Sequence, residues 1–235
     1  MGQLPLARVT QSRPFSHTGI DYAGPLTLKT WRGRGAKTYK EWICVFVCLT
    51  TSATHLEVVS DYTAEGFIST YKRFTSRRGT PSALYSDCGT NFLGADAQLK
   101  RCLAASSPGH LKISALLAQD KTQWHFNLPA APHMGGKWEA AVKSLKFHVE
   151  RTVGDTLLTY EDASTLLAQV EAILYSRPLK PLSDDPEDTT AFTPGHFLIE
   201  TALNAIPEPS LLDVSVNRLS RWQFIKQRMQ QFWRL

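Results

Sequence analysis

Three acidic residues lie in sequence contexts that suit metal-dependent chemistry: Asp21 in HTGIDYAGP, Asp87 in LYSDCGTNF and Glu139 in HMGGKWEAAVKSLK. Strand interiors disfavour Asp, because burying an unpaired carboxylate is costly unless a cation neutralises it. Mg²⁺ prefers carboxylate oxygens and retains several waters, so two or three Asp or Glu side chains are enough to hold it. Two such ions can activate the attacking oxygen and stabilise the leaving oxygen of a displacement at phosphorus. Together the three acids predict a metal site for phosphoryl transfer.

Each acid also has a plain structural interpretation. Asp21 could be an edge-strand or turn residue that prepares the break at Gly24-Pro25. Asp87 could cap the strand that it ends. Glu139 could form an ordinary i, i+4 ion pair with Lys143 on a solvated helix face, which is the better interpretation for an average helix. The individual residues leave these alternatives open.

The hydrophobic pattern predicts the elements that must position the acids. Strands are predicted at 15–22, 42–49, 55–59, 83–86 and 122–127, and helices at 64–78, 96–105, 111–119, 137–153, 160–176 and 216–235. Gly24-Pro25 is predicted to end the first strand, and 129–136 is predicted to be a Pro/Gly-rich loop. This order predicts a mixed sheet flanked by helices, an α/β fold.

Three details of the pattern are specific enough to check. The run WICVFVCL predicts a strand that is buried on both faces. Thr63 and Thr159 are predicted helix N-caps. On the helix 137–153, one face should pack on the sheet and the other carries charges. The packing face is Trp138, Val142, Leu145 and Val149, and the charged face is Glu139, Lys143, Lys146 and Glu150.

Composition narrows the class of protein. The chain has 235 residues, of which 43% are hydrophobic and 20% charged, as in an ordinary globular domain. No apolar run could span a bilayer and the N-terminus has no signal-peptide core, so a soluble, intracellular protein without a membrane partner is expected. The four cysteines lack zinc-site spacing. The net charge of +5 fits a polyanionic partner, although many solvated surfaces reach this value.

Seven segments, in register, resemble the integrase core of BEL/Pao-type LTR retrotransposons, within the retroviral integrase superfamily. The segments are PFSHTGIDYAGP, SDCGTNFLGA, WHFNLPAAPHMGGKWEAAVKSLK, LAQVEAILYSRPL, LSDDPED, FTPGHFLI and NRLSRWQ. They extend from about residue 8 to the C-terminus. The resemblance implies an RNase H-like mixed five-stranded sheet flanked by helices, with a catalytic core at 8–198. Residues 199–235 would be a linker and a helix leading to an absent downstream domain.

The same resemblance implies an activity and the residues for it. Asp21, Asp87 and Glu139 would be the catalytic triad and would hold Mg²⁺ or Mn²⁺, with two ions expected. The enzyme would trim the 3′ ends of retroelement DNA and join them to target DNA, as a homo-oligomer (dimer or tetramer) in the nucleus. DNA contacts are assigned to four residues. They are Lys143, Lys146, Asn91 and His133.

The chain departs from the family pattern in ways that keep other functions open. Cys88 stands where the family usually has Asn, and the gap from Asp87 to Glu139 is longer than in retroviral enzymes. No His/Cys zinc-binding domain precedes the core, so the chain resembles a fragment of a larger polyprotein. Two alternatives are therefore kept: a catalytically idle, integrase-derived DNA-binding module, and an RNase H-type nuclease, which explains the helix of Glu139 poorly.

Overall fold

The computed structural model describes residues 9–87, 108–127, 132–154, 156–185, 187–188, 190–201 and 209–234. The regular elements in these ranges follow in chain order. They are β1 (His17–Lys29), β2 (Thr38–Cys48), β3 (Thr54–Val59), α1 (Ala64–Arg78), β4 (Ala83–Asp87), α2 (Pro108–Gln119), β5 (Gln123–Asn127), α3 (Pro132–Val153), β6 (Leu158–Thr159), α4 (Tyr160–Ser176), β7 (Lys180–Pro181), β8 (Ala191–Phe192), α5 (His196–Ile199), a 3₁₀ turn (Val216–Arg218) and α6 (Arg221–Arg234). The predicted helix at 96–105 lies outside the described residues.

The chain divides into two compact units. The first comprises Met1–Leu26 and Lys40–Lys143, and the second comprises Thr27–Tyr39 and Ser144–Leu235. The predicted boundary between residues 198 and 199 remains a prediction.

Five strands form the main path of the sheet, in the order β3-β2-β1-β4-β5, and the two-residue β6 pairs with the end of β1 beside this path. β2 and β3 are antiparallel, whereas β1, β4 and β5 run parallel to one another. Residues 43–48 of β2 are all buried, which confirms the prediction of a strand covered on both faces. The mixed five-stranded sheet with flanking helices confirms the predicted α/β fold class.

Aromatic side chains hold α1 on this sheet. Thr63 caps α1 by accepting a hydrogen bond from the Gly66 amide, as predicted. Phe74 of α1 stacks on Phe46 of β2, with a ring-centroid distance of 4.2 Å, and meets Phe15 edge to face at 5.5 Å. These rings are fully buried. The buried aromatic residues of α1, Phe67, Tyr71 and Phe74, recur at the spacing of one helix face.

One buried carboxylate in the first unit is compensated by cationic groups. Glu57 accepts hydrogen bonds from Arg73 Nε at 2.7 Å and from Arg77 Nη1, and His55 Nε2 lies 3.2 Å from Glu57 Oε1. Burial raises the pKa of Glu57, but the hydrogen bonds with His55 and Arg73 outweigh burial, and the pKa is lowered from its usual value. The charge of Glu57 is thus neutralised inside the fold.

Two sequence predictions in the first part of the chain are wrong at their boundaries. β1 does not end at Gly24-Pro25 but continues to Lys29, because its last residues, Leu28 and Lys29, pair with β6. Helix α3 begins at Pro132, inside the predicted loop 129–136. Proline is tolerated in the first turn of a helix, where its missing N–H is not needed, so Pro132 starts the helix instead of interrupting it.

The second unit is built around α4 and α6. Thr159 caps α4 in a capping box with Asp162, as predicted for the cap. The predicted helix 216–235 is wrong at its start: Val216–Arg218 is a 3₁₀ turn and α6 begins at Arg221. The reason is a reciprocal cap, in which Ser220 N donates to Gln223 Oε1 and Gln223 N donates to Ser220 Oγ.

Asp162 joins three segments of the second unit. Its side chain is 1% exposed and accepts hydrogen bonds from Arg32 Nη2 at 2.8 Å and from Arg221 Nε at 2.9 Å. The Thr159 amide donates to the same carboxylate. Burial raises the pKa of Asp162, but these hydrogen bonds outweigh burial and lower it from its usual value. A single carboxylate therefore ties the 27–39 segment, α4 and α6 together.

No helix within the described ranges is long and apolar enough to cross a membrane.

Substituting Asp162→Asn removes the charge that both arginines share. We expect the free energy of unfolding to fall by about 2 kcal/mol, since breaking a buried pair costs more but both arginines are partly exposed to water. Chemical denaturation at neutral pH measures the change. Asp184→Asn, at an exposed position of the same unit, is the matched control and should change stability by less than about 0.5 kcal/mol.

The same contact predicts a pH dependence. Because the pKa of Asp162 is lower in the folded state, its contribution is present above the unfolded-state pKa and is lost as the pH falls through the folded-state value. The stability difference between wild type and Asp162→Asn should therefore shrink below about pH 4. A difference that stays constant down to about pH 2 would contradict this account of the carboxylate.

Candidate functional site

Three neighbouring strands of the first unit place one residue each in a single row. Gly19 of β1 pairs with Tyr85 of β4, and Tyr85 pairs with His125 of β5. The rings of Tyr85 and His125 stack with a centroid distance of 4.9 Å. Because alternate residues of a strand share one face, this row defines the face of the sheet that carries Asp21, two residues beyond Gly19.

Helix α3 lies directly on this row through Trp138. A Cβ atom built on Gly19 would lie 2.8 Å from three atoms of the Trp138 side chain, Cβ, Cδ2 and Cε3. The Trp138 ring is 1% exposed and is 6.3 Å from the Tyr85 ring, centroid to centroid. Only a residue without a side chain at position 19 permits this approach, so Gly19 sets how closely α3 comes to β1.

Asp21 is half-buried in β1, two residues beyond Gly19. Its Oδ1 accepts a hydrogen bond from the Tyr22 amide at 2.7 Å. Burial raises the pKa of the neighbouring Cys44 thiol, a hydrogen bond with Tyr22 offsets part of the rise, and the charge of Asp21 raises this pKa further. Asp21 therefore has a thiol on its β2 side that stays protonated at neutral pH.

Asp87 is placed by the backbone of β4. The last paired residues of β1 and β4 are Ile20 and Ser86, and Asp87 follows them as the final residue of β4, opposite Asn127 of β5. Continuing this register by one residue puts positions 21 and 87 side by side on β1 and β4. Neighbouring strands of a sheet lie about 4.8 Å apart. The side chain of Asp87 lies outside the described residues.

Glu139 follows Trp138 in α3 and has an exposed side chain. It is the eighth residue of the helix, two turns from the N-terminus, because α3 begins at Pro132. The buried face of α3 is the predicted one. Its members are Trp138, Val142, Leu145 and Val149. The i, i+4 pair with Lys143 that was considered as an alternative is not among the ion pairs of the described side chains, and the role of Glu139 stays a prediction.

The residues predicted to contact DNA are only partly described. Lys143 is exposed and Lys146 is partly exposed on α3. Asn91, Cys88 and the side chain of His133 lie outside the described residues. The assignment of DNA contacts to Lys143, Lys146, Asn91 and His133 stays a prediction.

The carboxylate oxygens of the three acids are suitable ligands for a hard divalent cation, which binds carboxylates and water. Among the described side chains, which exclude that of Asp87, no group of three His, Cys, Asp or Glu residues could hold a metal ion. The structure brings positions 21 and 87 together by register, and it brings the helix of Glu139 onto the same face through Trp138. The triad itself remains a prediction.

The sequence interpretation did not single out the residues that organise this face. Alternation along β1 places Gly19 on the face of Asp21 but gives it no role, Tyr85 and His125 were not singled out, and Trp138 was predicted only as a packing residue. The signal that could have found them is Gly19, which alternates with Asp21 in β1 and so had to lie on the same face. A glycine within a strand commonly marks a close approach by another part of the chain.

The sheet order and the parallel pairing of β1, β4 and β5 define this class of domain as an RNase H-like α/β fold. A chain of the simian T-cell lymphotropic virus intasome, solved in complex with the PP2A regulatory subunit B56 gamma, is similar with a TM-score of 0.54 and 16% identity. The match covers 92% of this chain and 66% of the viral chain, just under two thirds of its length.

A second solved structure, the catalytic core domain of BIV integrase, matches with a TM-score of 0.49 and 17% identity, over 79% of this chain and 95% of that domain. At 16% identity, the likeness to the viral intasome chain shows a shared fold alone. No protein-family model matches the chain, and no curated protein matches it.

Substituting Gly19→Ala tests the close approach of α3. The added methyl group cannot fit 2.8 Å from the Trp138 side chain, so either the helix or the strand must move. We expect the free energy of unfolding to fall by about 1–3 kcal/mol, as for other overpacked sites. Chemical denaturation measures the effect.

Gly136→Ala, in the same helix, is the control for this substitution. A Cβ at Gly136 meets nothing within 4 Å, so alanine there should raise stability by about 0.5–1 kcal/mol through its higher helix propensity. Equal stability of the Gly19→Ala variant and the wild type would show that the contact does not constrain the helix.

Proposed function

We propose that this chain is the catalytic core of a BEL/Pao-type integrase, a metal-dependent polynucleotidyl transferase that trims the 3′ ends of retroelement DNA and joins them to target DNA. The observation that supports this proposal most directly is the register of β1 and β4. It makes Asp21 and Asp87 neighbours in an RNase H-like sheet, two residues beyond the row on which the helix of Glu139 packs.

Acidic residues at adjacent register positions are unfavourable unless a cation compensates them. We propose that Asp21 and Asp87 hold this cation from the sheet and that Glu139 completes the site from α3. A bound Mg²⁺ or Mn²⁺ pair would supply an activated oxygen nucleophile and stabilise the leaving oxygen. The rigid packing of Trp138 on Gly19 would keep Glu139 at a fixed distance from the strands.

Two lysines of α3 would contribute to substrate binding. Lys143 lies one turn after Glu139 and Lys146 follows a turn later, and neither is fully buried. Their ammonium groups would neutralise phosphates of DNA next to the acids. The proposed substrates are the DNA ends of a retroelement and a target duplex in the nucleus.

A second copy of the chain belongs to the proposal because concerted joining of two DNA ends requires two active sites. The structurally similar viral chain comes from an intasome. We propose that this protein acts as a homo-oligomer, a dimer or tetramer.

Conservative substitution of each acid tests the enzymatic proposal. Asp21→Asn, Asp87→Asn and Glu139→Gln each remove one carboxylate charge, and each should lower Mn²⁺-dependent disintegration of branched DNA at least about 100-fold, because a metal ion supplies several kcal/mol of transition-state stabilisation. The rate of strand release from a labelled branched oligonucleotide measures the effect.

Asp184→Asn, which removes an exposed carboxylate elsewhere, should retain wild-type activity. If the wild type binds DNA but neither cuts nor joins it with Mn²⁺, the chain is an idle binding module. Activity that survives Asp87→Asn would exclude the proposed triad.

The proposed role of Lys143 has a separate readout in binding. Replacing Lys143→Gln should make the slope of log affinity against log salt concentration shallower by about 0.9, the value for one duplex phosphate contact. Lys121→Gln removes an exposed lysine from the turn after α2 and should leave the slope unchanged. Fluorescence anisotropy over a range of NaCl concentrations compares the two variants, and identical slopes for all three proteins would rule out a phosphate contact at Lys143.

A further inference from the structure

The second unit contains a pocket that none of the described candidate-site residues lines. It has a volume of about 440 Å³ and is open to solvent, and five described residues line it. They are Arg151, Leu212, Arg228, Gln231 and Arg234. The volume falls in the range of about 300–1,000 Å³ that is usual for small-ligand pockets. Among these described lining residues three are arginines and none is acidic, so this part of the pocket wall is strongly cationic.

Contacts within the second unit hold two of these arginines in place. Arg228 Nη1 donates to the Thr152 carbonyl at 3.1 Å and to Gln231 Oε1 at 2.8 Å, and its guanidinium lies 5.0 Å from the centroid of the Phe224 ring. The Arg151 guanidinium lies 4.9 Å from the centroid of the Phe147 ring. Side chains that are already positioned lose less conformational freedom when they bind a ligand.

Partial burial of the positively charged Arg228 guanidinium has a free-energy cost. This residue is partly buried, and burial lowers the pKa of its guanidinium. The groups that accept its hydrogen bonds are a backbone carbonyl and a side-chain amide, which are neutral. An anion in the pocket would offset the cost of removing these positive charges from water.

We propose that this pocket binds the phosphodiester backbone of nucleic acid. Arginine presents a planar, forked set of donors that matches phosphate oxygens, and three guanidiniums around one opening suit a strand with successive phosphates. The choice of DNA rests on the proposed function. The pocket adds to it a binding surface in the second unit, formed by the last turns of α3, by Leu212 and by α6.

The test measures DNA binding without catalysis. Fluorescence anisotropy with a labelled blunt duplex, in EDTA and over a range of NaCl concentrations, compares the wild type with the double variant Arg151→Gln/Arg234→Gln. Both residues are exposed, so the fold should tolerate the change. We expect the slope of log affinity against log salt to become shallower by about 1.8, which corresponds to two lost phosphate contacts at about 0.9 each. Arg228 is left intact because it also bonds the Thr152 carbonyl.

The matched control is Arg34→Gln/Arg218→Gln, which removes two exposed arginines of the same unit that do not line the pocket. It should retain the wild-type slope, and Arg151→Lys/Arg234→Lys should retain most of it, since the charges remain. Equal losses in the pocket and control variants would overturn the proposal, because they would reflect general charge alone.

Further outcomes distinguish a DNA-binding pocket from a pocket for a small anion. If inorganic tripolyphosphate binds the wild type and not the pocket variant, while both have the same slope for DNA, the pocket takes a small free polyanion and the proposal is wrong. If the wild type binds no DNA at all, the proposed function fails together with this inference. If the acidic-residue variants retain catalysis but the pocket variant shows the expected slope, only the catalytic assignment fails.

Discussion

The contact between the Trp138 side chain and the bare backbone of Gly19 determines how the proposed site can be built. It lets α3 lie on the row formed by Gly19, Tyr85 and His125, and the next residue of the helix is Glu139. A side chain at position 19 would push the helix away from the strand that carries Asp21. The position of the third acid therefore depends on a residue that has no functional group.

The backbone pairing of β1 and β4 determines where the other two acids, Asp21 and Asp87, lie in the sheet. Parallel pairing of Ile20 with Ser86 puts positions 21 and 87 at the same level of the sheet. A shift of one residue in either strand would move its acid to the opposite face. Two other buried carboxylates, those of Glu57 and Asp162, each accept hydrogen bonds from two arginines. We propose that a bound cation compensates the acidic pair at positions 21 and 87 of neighbouring strands in the same way.

The sequence correctly predicted those features that depend on the spacing and type of nearby residues. The cap at Thr63, the packing face of α3 and the doubly buried β2 follow from spacing and residue type. It failed where distant partners decide the structure: β1 continues past Gly24-Pro25 because β6 pairs with its end. Asp162 shows the same limit. The sequence predicted the cap at Thr159, but it could not predict the arginine partners of Asp162. Arg32 and Arg221 lie 130 and 59 residues from Asp162 in the sequence.

The central claim is that Asp21, Asp87 and Glu139 converge on divalent cations. Anomalous diffraction from crystals soaked in Mn²⁺ tests it most directly. The account predicts anomalous density within about 2.0–2.4 Å of carboxylate oxygens from Asp21 and Asp87, with Glu139 beside it, and no such density in crystals of Asp87→Asn. Manganese bound only elsewhere, or three carboxylates that point to separate surfaces, would contradict the proposed phosphoryl-transfer site.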